Sequence, residues 1–367
     1  MSQPNITFFV TSLNSGGIEN YLLRFLKFKA NDFNEITVFC KSGKAGQLKE
    51  EYKTINNVKI HLKSISFFNP KDYLYLYSFF KKNQIDAVCD FTGNFAGLIL
   101  WTAKKAGVKK RIAFYRGSDN HFTESKLRLA YNNFVKKLVF KNATNILSNS
   151  KSAFEFFFPK IFPNDTRFKV IYNGLNTNEF LITQKVLRAE FNIPKDAYVI
   201  GHVGRYNSAK NHETIIKVAI SICKNNENVY FLMCGNGVKE NLQKVVDDQQ
   251  LNRRIILSNN RKDIPLFLNT LNCFYFPSIS EGQPNALLEA MLMGLPFVAS
   301  NIAPILETVP EKYHSLLVPP KDELSAIKKI ESIMNDDCDI KFENLQSEIA
   351  DRFNAEKLFN EFYQALQ

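Results

Sequence analysis

Two glutamates with seven residues between them, Glu281 and Glu289, bracket the segment of this chain best suited to chemistry. Between them lies Gly282-Gln283-Pro284-Asn285-Ala286-Leu287-Leu288, and the strand-like run Cys273–Phe276 comes before. Gly282 and Gln283 read as a turn, Pro284 suits the first position of a helix, and Gly294 with Pro296 ends it. A strand turning tightly into a helix aims free N–H groups and the positive end of the helix dipole at one spot. That spot suits an anion such as phosphate. Glu281 falls just outside the helix, and Glu289 lies one turn beyond Asn285 on the same face. Leu287, Leu288, Ala290, Met291, Leu292 and Met293 surround Glu289. The helix is therefore expected to pack against a sheet, where a carboxylate is costly unless hydrogen-bonded. The alternative, a solvated surface glutamate, needs a wider polar stripe than this helix has.

A second group follows the strand-like run Tyr198–Val203: Gly204, then Arg205, and Lys210 five residues later. It puts two cations on one loop at the carboxyl end of a strand. A fixed guanidinium plus a mobile ammonium suits a diphosphate, each charge-assisted bond contributing about 1.5–3 kcal/mol. The loop has no Gly-Lys-Ser/Thr and is not a Walker loop. Near the start of the chain, Gly16 and Gly17 follow the strand Ile6–Val10 and open a helix, letting a ligand approach the backbone. They lack the full G-x-G-x-x-G pattern and are a weak signal alone. His61, His202, His212 and His314 are spread widely and suggest no metal site. Asp337-Cys338-Asp339 matches a metal-binding D-x-D only superficially, because it follows a helix-like polar run and not a strand.

The elements that must carry these groups alternate regularly. Apolar runs at Ile36–Phe39, Val58–His61, Ala87–Phe91, Arg111–Tyr115, Thr144–Leu147 and Phe168–Tyr172 follow the first strand, with helical stretches such as Tyr21–Lys29 and Phe95–Ala106 between. The pattern restarts at Tyr198 and recurs at Val229–Gly235, Arg254–Leu257, Cys273–Phe276, Pro296–Ala299 and Leu316–Val318. Such alternation predicts an α/β chain of two doubly wound, Rossmann-like domains with parallel sheets. The expected boundaries are 1–174 for a first domain and 175–352 for a second. A helix within 353–367 is expected to pack back on the first. Ligands bind beyond the carboxyl ends of such strands, so two domains with facing loops would share a central cleft.

Composition narrows the class. At 367 residues the chain is too long for one ordinary core, and 45% apolar with 23% charged residues reads as globular. The start shows no basic-then-apolar leader, and no run is long enough to span a bilayer, so a cytoplasmic place is expected. Six scattered cysteines without a C-x-x-C pair read as reduced core thiols. The net charge of +11 is uneven: residues 1–180 hold 27 Lys and Arg against 13 Asp and Glu, the remainder 20 against 23. A basic first half suits peripheral contact with an anionic membrane at its inner face, or an anionic acceptor. No helix-turn-helix, zinc or RNA-recognition signature supports nucleic acid as a partner.

Taken together, Gly16-Gly17, Gly204-Arg205 with Lys210-Asn211, Gly235-Asn236-Gly237 and the spaced glutamates resemble the family 4 glycosyltransferases of GT-B fold, over nearly the whole chain. The resemblance implies transfer of a sugar from a nucleotide diphosphate sugar, UDP by family habit, usually with retention and without metal. The nucleotide sugar is then a substrate, and no cofactor is expected. The acceptor would be a saccharide or lipid-linked saccharide in surface polysaccharide synthesis.

Carried over to this sequence, Arg205 and Lys210 would hold the diphosphate, Glu281 the donor sugar and Glu289 the ribose hydroxyls. Pro284 would shape the pocket. Asn285, Ala286 and Leu287, with Gly204 and the pair Gly16 and Gly17, would line the phosphates and sugar. Where many relatives carry histidines, this chain has Phe114 and Arg116. His121 comes later, and it joins Arg205, Lys210 and Glu281 as a catalytic candidate beside Asp119. Paired carboxylates also suit a glycoside hydrolase, but the cations would then have no diphosphate to meet. A glycoside phosphorylase would use the cations yet normally needs a longer chain. A non-catalytic sugar-nucleotide-binding protein would be expected to lose one of the four charged residues.

Overall fold

The computed structural model describes residues 3–117, 125–160, 162, 164–180 and 187–367. Contacts divide the chain into two compact units, Met1–Gly174 with Ala355–Gln367, and Leu175–Asn354.

The first unit is built on strands β1 (Asn5–Val10), β2 (Glu35–Cys40), β3 (Val58–Leu62), β4 (Ala87–Asp90), β5 (Lys110–Tyr115), β6 (Asn145–Ser148) and β7 (Phe168–Val170). They pair in parallel in the order β3-β2-β1-β4-β5-β6-β7. Central strands read as unbroken apolar runs because helices cover both faces; β1, for instance, is buried from Ile6 to Val10. One face packs on the helix Gly17–Lys29 and the C-terminal helix Ala355–Leu366. Phe362 of the latter lies 4.6 Å from Phe25 and 5.2 Å from Phe114, ring centre to ring centre. Aromatic pairs of this kind contribute about 0.5–1.5 kcal/mol each beyond their buried area. The other face packs on the helices Pro70–Lys82, Gly97–Ala106 and Lys126–Asn142 through Leu76, Phe80, Ile99, Leu100 and Val139.

The aromatic run Tyr73–Phe80 splits between core and surface. Leu76 and Phe80 are buried, while Leu74, Tyr75 and Tyr77 are exposed, as are Phe67 and Phe68 before them. The helical period explains the split, since residues four apart share a face.

The second unit holds β8 (Tyr198–Val203), β9 (Val229–Cys234), β10 (Ile255–Ser258), β11 (Cys273–Phe276), β12 (Phe297–Ser300) and β13 (Leu317–Val318). The parallel order is β10-β9-β8-β11-β12-β13. The order reverses beside β8, where β8 and β11 are neighbours, and in such sheets ligands settle at the carboxyl ends of that strand pair. Five of the six cysteines are buried and all are free thiols. Among the described residues, no helix is long and apolar enough to cross a membrane.

Candidate active site

At the carboxyl end of β8 the chain makes a loop that is locked to its neighbours by backbone bonds. The Gly204 N–H donates to the Cys234 carbonyl at 2.9 Å, and the Tyr206 N–H to Asn236 at 2.8 Å. Gly235 makes this approach possible: a Cβ there would lie 2.1 Å from the Gly204 carbonyl oxygen. The Asn207 side chain then accepts from the Lys210 N–H at 2.9 Å, closing a single 3-10 turn over Ser208–Lys210. Asn211 adopts left-handed backbone at φ 58°. Its buried amide donates to the Pro277 carbonyl at 3.1 Å and to Pro320 at 2.7 Å.

A further backbone bond, Ile279 N–H to the Ala209 carbonyl at 2.8 Å, fastens the loop after β11 to this one. The two loops therefore meet, and Lys210 Nζ lies 2.5 Å from Glu281 Oε1. Both side chains are mostly covered, at 18% and 11% exposed. The ammonium also sits 4.6 Å from the centre of the Phe276 ring. Arg205 is exposed and has no ion-pair or hydrogen-bond partner among the described residues. Of the two cations, it is the ammonium that a protein carboxylate holds, while the guanidinium is open to solvent. Lys210, expected with Arg205 at a diphosphate, is joined here to the residue expected at the sugar.

The helix Asn285–Leu292 starts one residue later than the sequence suggested. Pro284 stands before it in extended backbone (φ −81°, ψ 92°), and its carbonyl accepts from the Leu288 N–H at 3.0 Å. Asn285, Ala286 and Leu287 make the first turn, at the positive end of the helix dipole. Glu289 is 9% exposed on this apolar helix, so the solvated alternative is excluded by burial. Gly294, at φ 70°, closes the helix as a left-handed C-terminal residue.

Two histidines that look unrelated in the sequence come together beneath the cationic loop. The His202 and His212 rings stand 5.2 Å apart at 86°. His202 Nδ1 bonds the Tyr275 carbonyl at 3.0 Å, and the Tyr206 ring stands 5.1 Å from His212. Burial, then His212 and Lys210 nearby, hold the His202 pKa well below the ordinary value. Burial lowers the His212 pKa to about 4, with the backbone of Gly204 and Asn207 nearby opposing the shift. Both rings are therefore neutral near pH 7, packed under a loop that must carry positive charge. The signal in the sequence is positional: each histidine flanks one end of the loop Gly204–Asn211.

In the first unit, Gly16 precedes the helix Gly17–Lys29, and the Asn20 side chain donates to its carbonyl at 2.9 Å. Gly17 is exposed. Arg116, after β5, lays its guanidinium 4.0 Å from the centre of the Tyr21 ring and 4.9 Å from that of Phe114. Burial lowers its pKa to about 10. Sequence reasoning missed Lys41 and Asp90, whose side chains pair at 3.0 Å beside Thr92 at the carboxyl ends of β2 and β4. Asp119 and His121 lie outside the described residues. Among the described residues no cluster of His, Cys, Asp or Glu could hold a metal ion.

Two parallel-sheet, Rossmann-like units, the second with cations and carboxylates at the carboxyl ends of its central strands, are the architecture of the GT-B glycosyltransferases. Anabaena HepE, solved in complex with UDP and glucose, superimposes with a TM-score of 0.81 over 99% of both chains at 19% identity. The sequence agrees in both halves. The family model described as Glycosyltransferase Family 4 matches residues 15–179, and that described as Glycosyl transferases group 1 matches 183–352. The chain is a glycosyltransferase belonging to family 4. It is 29% identical to the capsular polysaccharide biosynthesis glycosyltransferase CapH of Staphylococcus aureus, over 87% of this chain and 88% of that one. To the UDP-Gal:alpha-D-GlcNAc-diphosphoundecaprenol alpha-1,3-galactosyltransferase of Escherichia coli it is 25% identical, over 93% and 91%.

Proposed function

We propose that the chain moves a glycosyl group from a UDP-sugar, with retention at the anomeric carbon, to a hydroxyl of a saccharide or lipid-linked saccharide in surface polysaccharide synthesis. The observation that carries this reading is the Lys210–Glu281 pair, held where two loops interlock beside the first turn of the Asn285–Leu292 helix. The functions named for the two relatives and the UDP bound to HepE support the donor and the acceptor class.

In this reading the bond from the anomeric carbon to the diphosphate oxygen breaks as the acceptor oxygen bonds to that carbon. The acceptor's hydroxyl proton passes to the departing diphosphate. Negative charge grows on that leaving oxygen, so groups aimed at it before the reaction stabilise the transition state more than the ground state. Lys210 has three N–H bonds; one goes to Glu281, leaving two for phosphate oxygens. Arg205, without a partner, adds a fork of donors from solvent. The N–H groups of Asn285, Ala286 and Leu287 complete an anion cradle. Glu281 accepts from sugar hydroxyls and Glu289 from the ribose.

These cations take the part that a divalent ion plays elsewhere, so the reaction proceeds without metal or cofactor. A mass-spectrometric screen of nucleotide sugars with saccharide acceptors, run with and without EDTA, tests the reading. Acceptor-dependent UDP release that EDTA leaves unchanged is expected. Donor binding without turnover across the panel would contradict it.

A further inference from the structure

Three neighbouring helices on one face of the first unit present an apolar surface that nothing in the catalytic reading uses. Phe67, Phe68, Tyr73, Leu74, Tyr77 and Trp101 line an open groove of about 410 Å³. Phe68 is 76% exposed, Leu74 67% and Trp101 41%. The surface continues onto the third helix, where Leu127 is 85% and Phe134 51% exposed, with the Tyr131 ring 5.0 Å from Phe68. A contiguous apolar surface of this kind marks an interaction site more often than chance.

Charge identifies what covers it. The helices Pro70–Lys82, Gly97–Ala106 and Lys126–Asn142 carry ten Lys and Arg against one acid, Asp72. A second copy docking face to face would set these cations against one another, which like-charge repulsion opposes. An anionic bilayer answers both features: its headgroups meet the lysines, and its hydrocarbon boundary takes the exposed Phe, Leu, Tyr and Trp rings and chains. Tyr and Trp are also the side chains suited to that boundary, being apolar with a polar tip.

We propose that this three-helix face is a docking surface for an anionic phospholipid membrane, with Trp101 and its neighbours entering the hydrocarbon boundary. The inference stands on the first unit alone and does not depend on the sugar-transfer reading.

Trp101 is the only tryptophan in the chain, so its emission reports this surface directly. Vesicles of phosphatidylglycerol and phosphatidylcholine should shift the emission of the full-length protein to the blue, and lipids with brominated acyl chains should quench it. Replacing Lys104 and Lys105 by Gln should lower partitioning about 25-fold at low salt, on roughly fivefold per lysine. L74S with L127S should lower it at least tenfold, and neither exposed pair alters the fold, as thermal melts would verify. Unshifted emission with anionic vesicles, or equal partitioning into pure phosphatidylcholine, would overturn the proposal. So would Trp101 shielding that tracks protein concentration without lipid, since that outcome assigns the face to a second copy.

Discussion

Lys210 and Glu281 are 71 positions apart in sequence and joined at 2.5 Å in space. The connection is enforced from outside the pair, by the Ile279–Ala209 backbone bond and by the Asn211 amide on Pro277. A cation fixed by a carboxylate is already in place when a leaving group arrives, and little reorganisation is needed to use it.

Glu289 offers a clean separation of binding from chemistry. Its buried position on the Asn285–Leu292 helix suits a carboxylate that accepts from ribose hydroxyls, away from the bond that breaks. E289A should weaken UDP binding about tenfold or more, the loss of one charge-assisted bond. At saturating donor, kcat should stay within about threefold of wild type. Calorimetric titration with UDP beside steady-state kinetics checks both. A large kcat loss with unchanged UDP affinity would place Glu289 at the reacting centre instead.

Gly235 is a test of the loop architecture. A methyl at this position would overlap the Gly204 carbonyl oxygen, forcing the cationic loop away from β9. G235A should cost about 1–3 kcal/mol of stability as an overpacking change. Because the displaced loop is the one bearing Arg205 and Lys210, UDP affinity should fall more than stability does. Folded protein with wild-type UDP affinity would show that the loop position is immaterial.

The buried histidine pair gives the protein a defined acid sensitivity. Both folded-state pKa values lie below the ordinary value, His212 at about 4. On acidification the unfolded chain therefore takes up protons first. The stability they contribute is complete above about pH 6.5 and drains away as pH falls toward 4, at up to about 1.4 kcal/mol per pH unit for each ring. Urea melts across that window should show the decline, and H202N/H212N should be flatter over the same range. An identical pH slope in the double variant would show that other groups set it.

Phe362 ties the end of the chain to the first unit. Its ring is fully buried among Phe8, Tyr21, Phe25, Phe91 and Phe114. F362A should destabilise by about 3–5 kcal/mol, as deleting a buried aromatic side chain typically does. Differential scanning calorimetry would record it as an earlier transition; an unchanged transition would mean the helix Ala355–Leu366 contributes little there.

Much of this architecture is legible in the chain because parallel strands buried on both faces are written as continuous apolar runs. Val229–Gly235 and Tyr198–Val203 could scarcely be anything else. Positions at element ends were harder. Pro284 suits the first helical position by its fixed φ, yet it stands just before the helix with ψ 92°, because the helix is entered from an extended turn.

The site was legible as a set of residue types and not as a set of partnerships. Periodicity placed Glu289 on an apolar helix but says nothing about which cation a loop will hold. That Lys210 is held and Arg205 exposed depends on the crossing of two loops from strands separated by two βα units. The same holds for His202 and His212, ten residues apart and facing each other only because the intervening loop folds back. The aromatic run Tyr73–Phe80 is half core and half surface for the opposite reason: helical period alone divides it.

The most direct test of the central claim is the turnover of Lys210→Ala and Glu281→Gln with the donor that the screen identifies, measured beside UDP affinity. If the pair stabilises the departing diphosphate, kcat should fall about 10²–10³-fold in Lys210→Ala, with UDP affinity changed far less. Glu281→Gln should also lose turnover, and the double variant should lose less than the product of the two, as coupled groups do. Turnover within about threefold of wild type in both single variants would contradict the account.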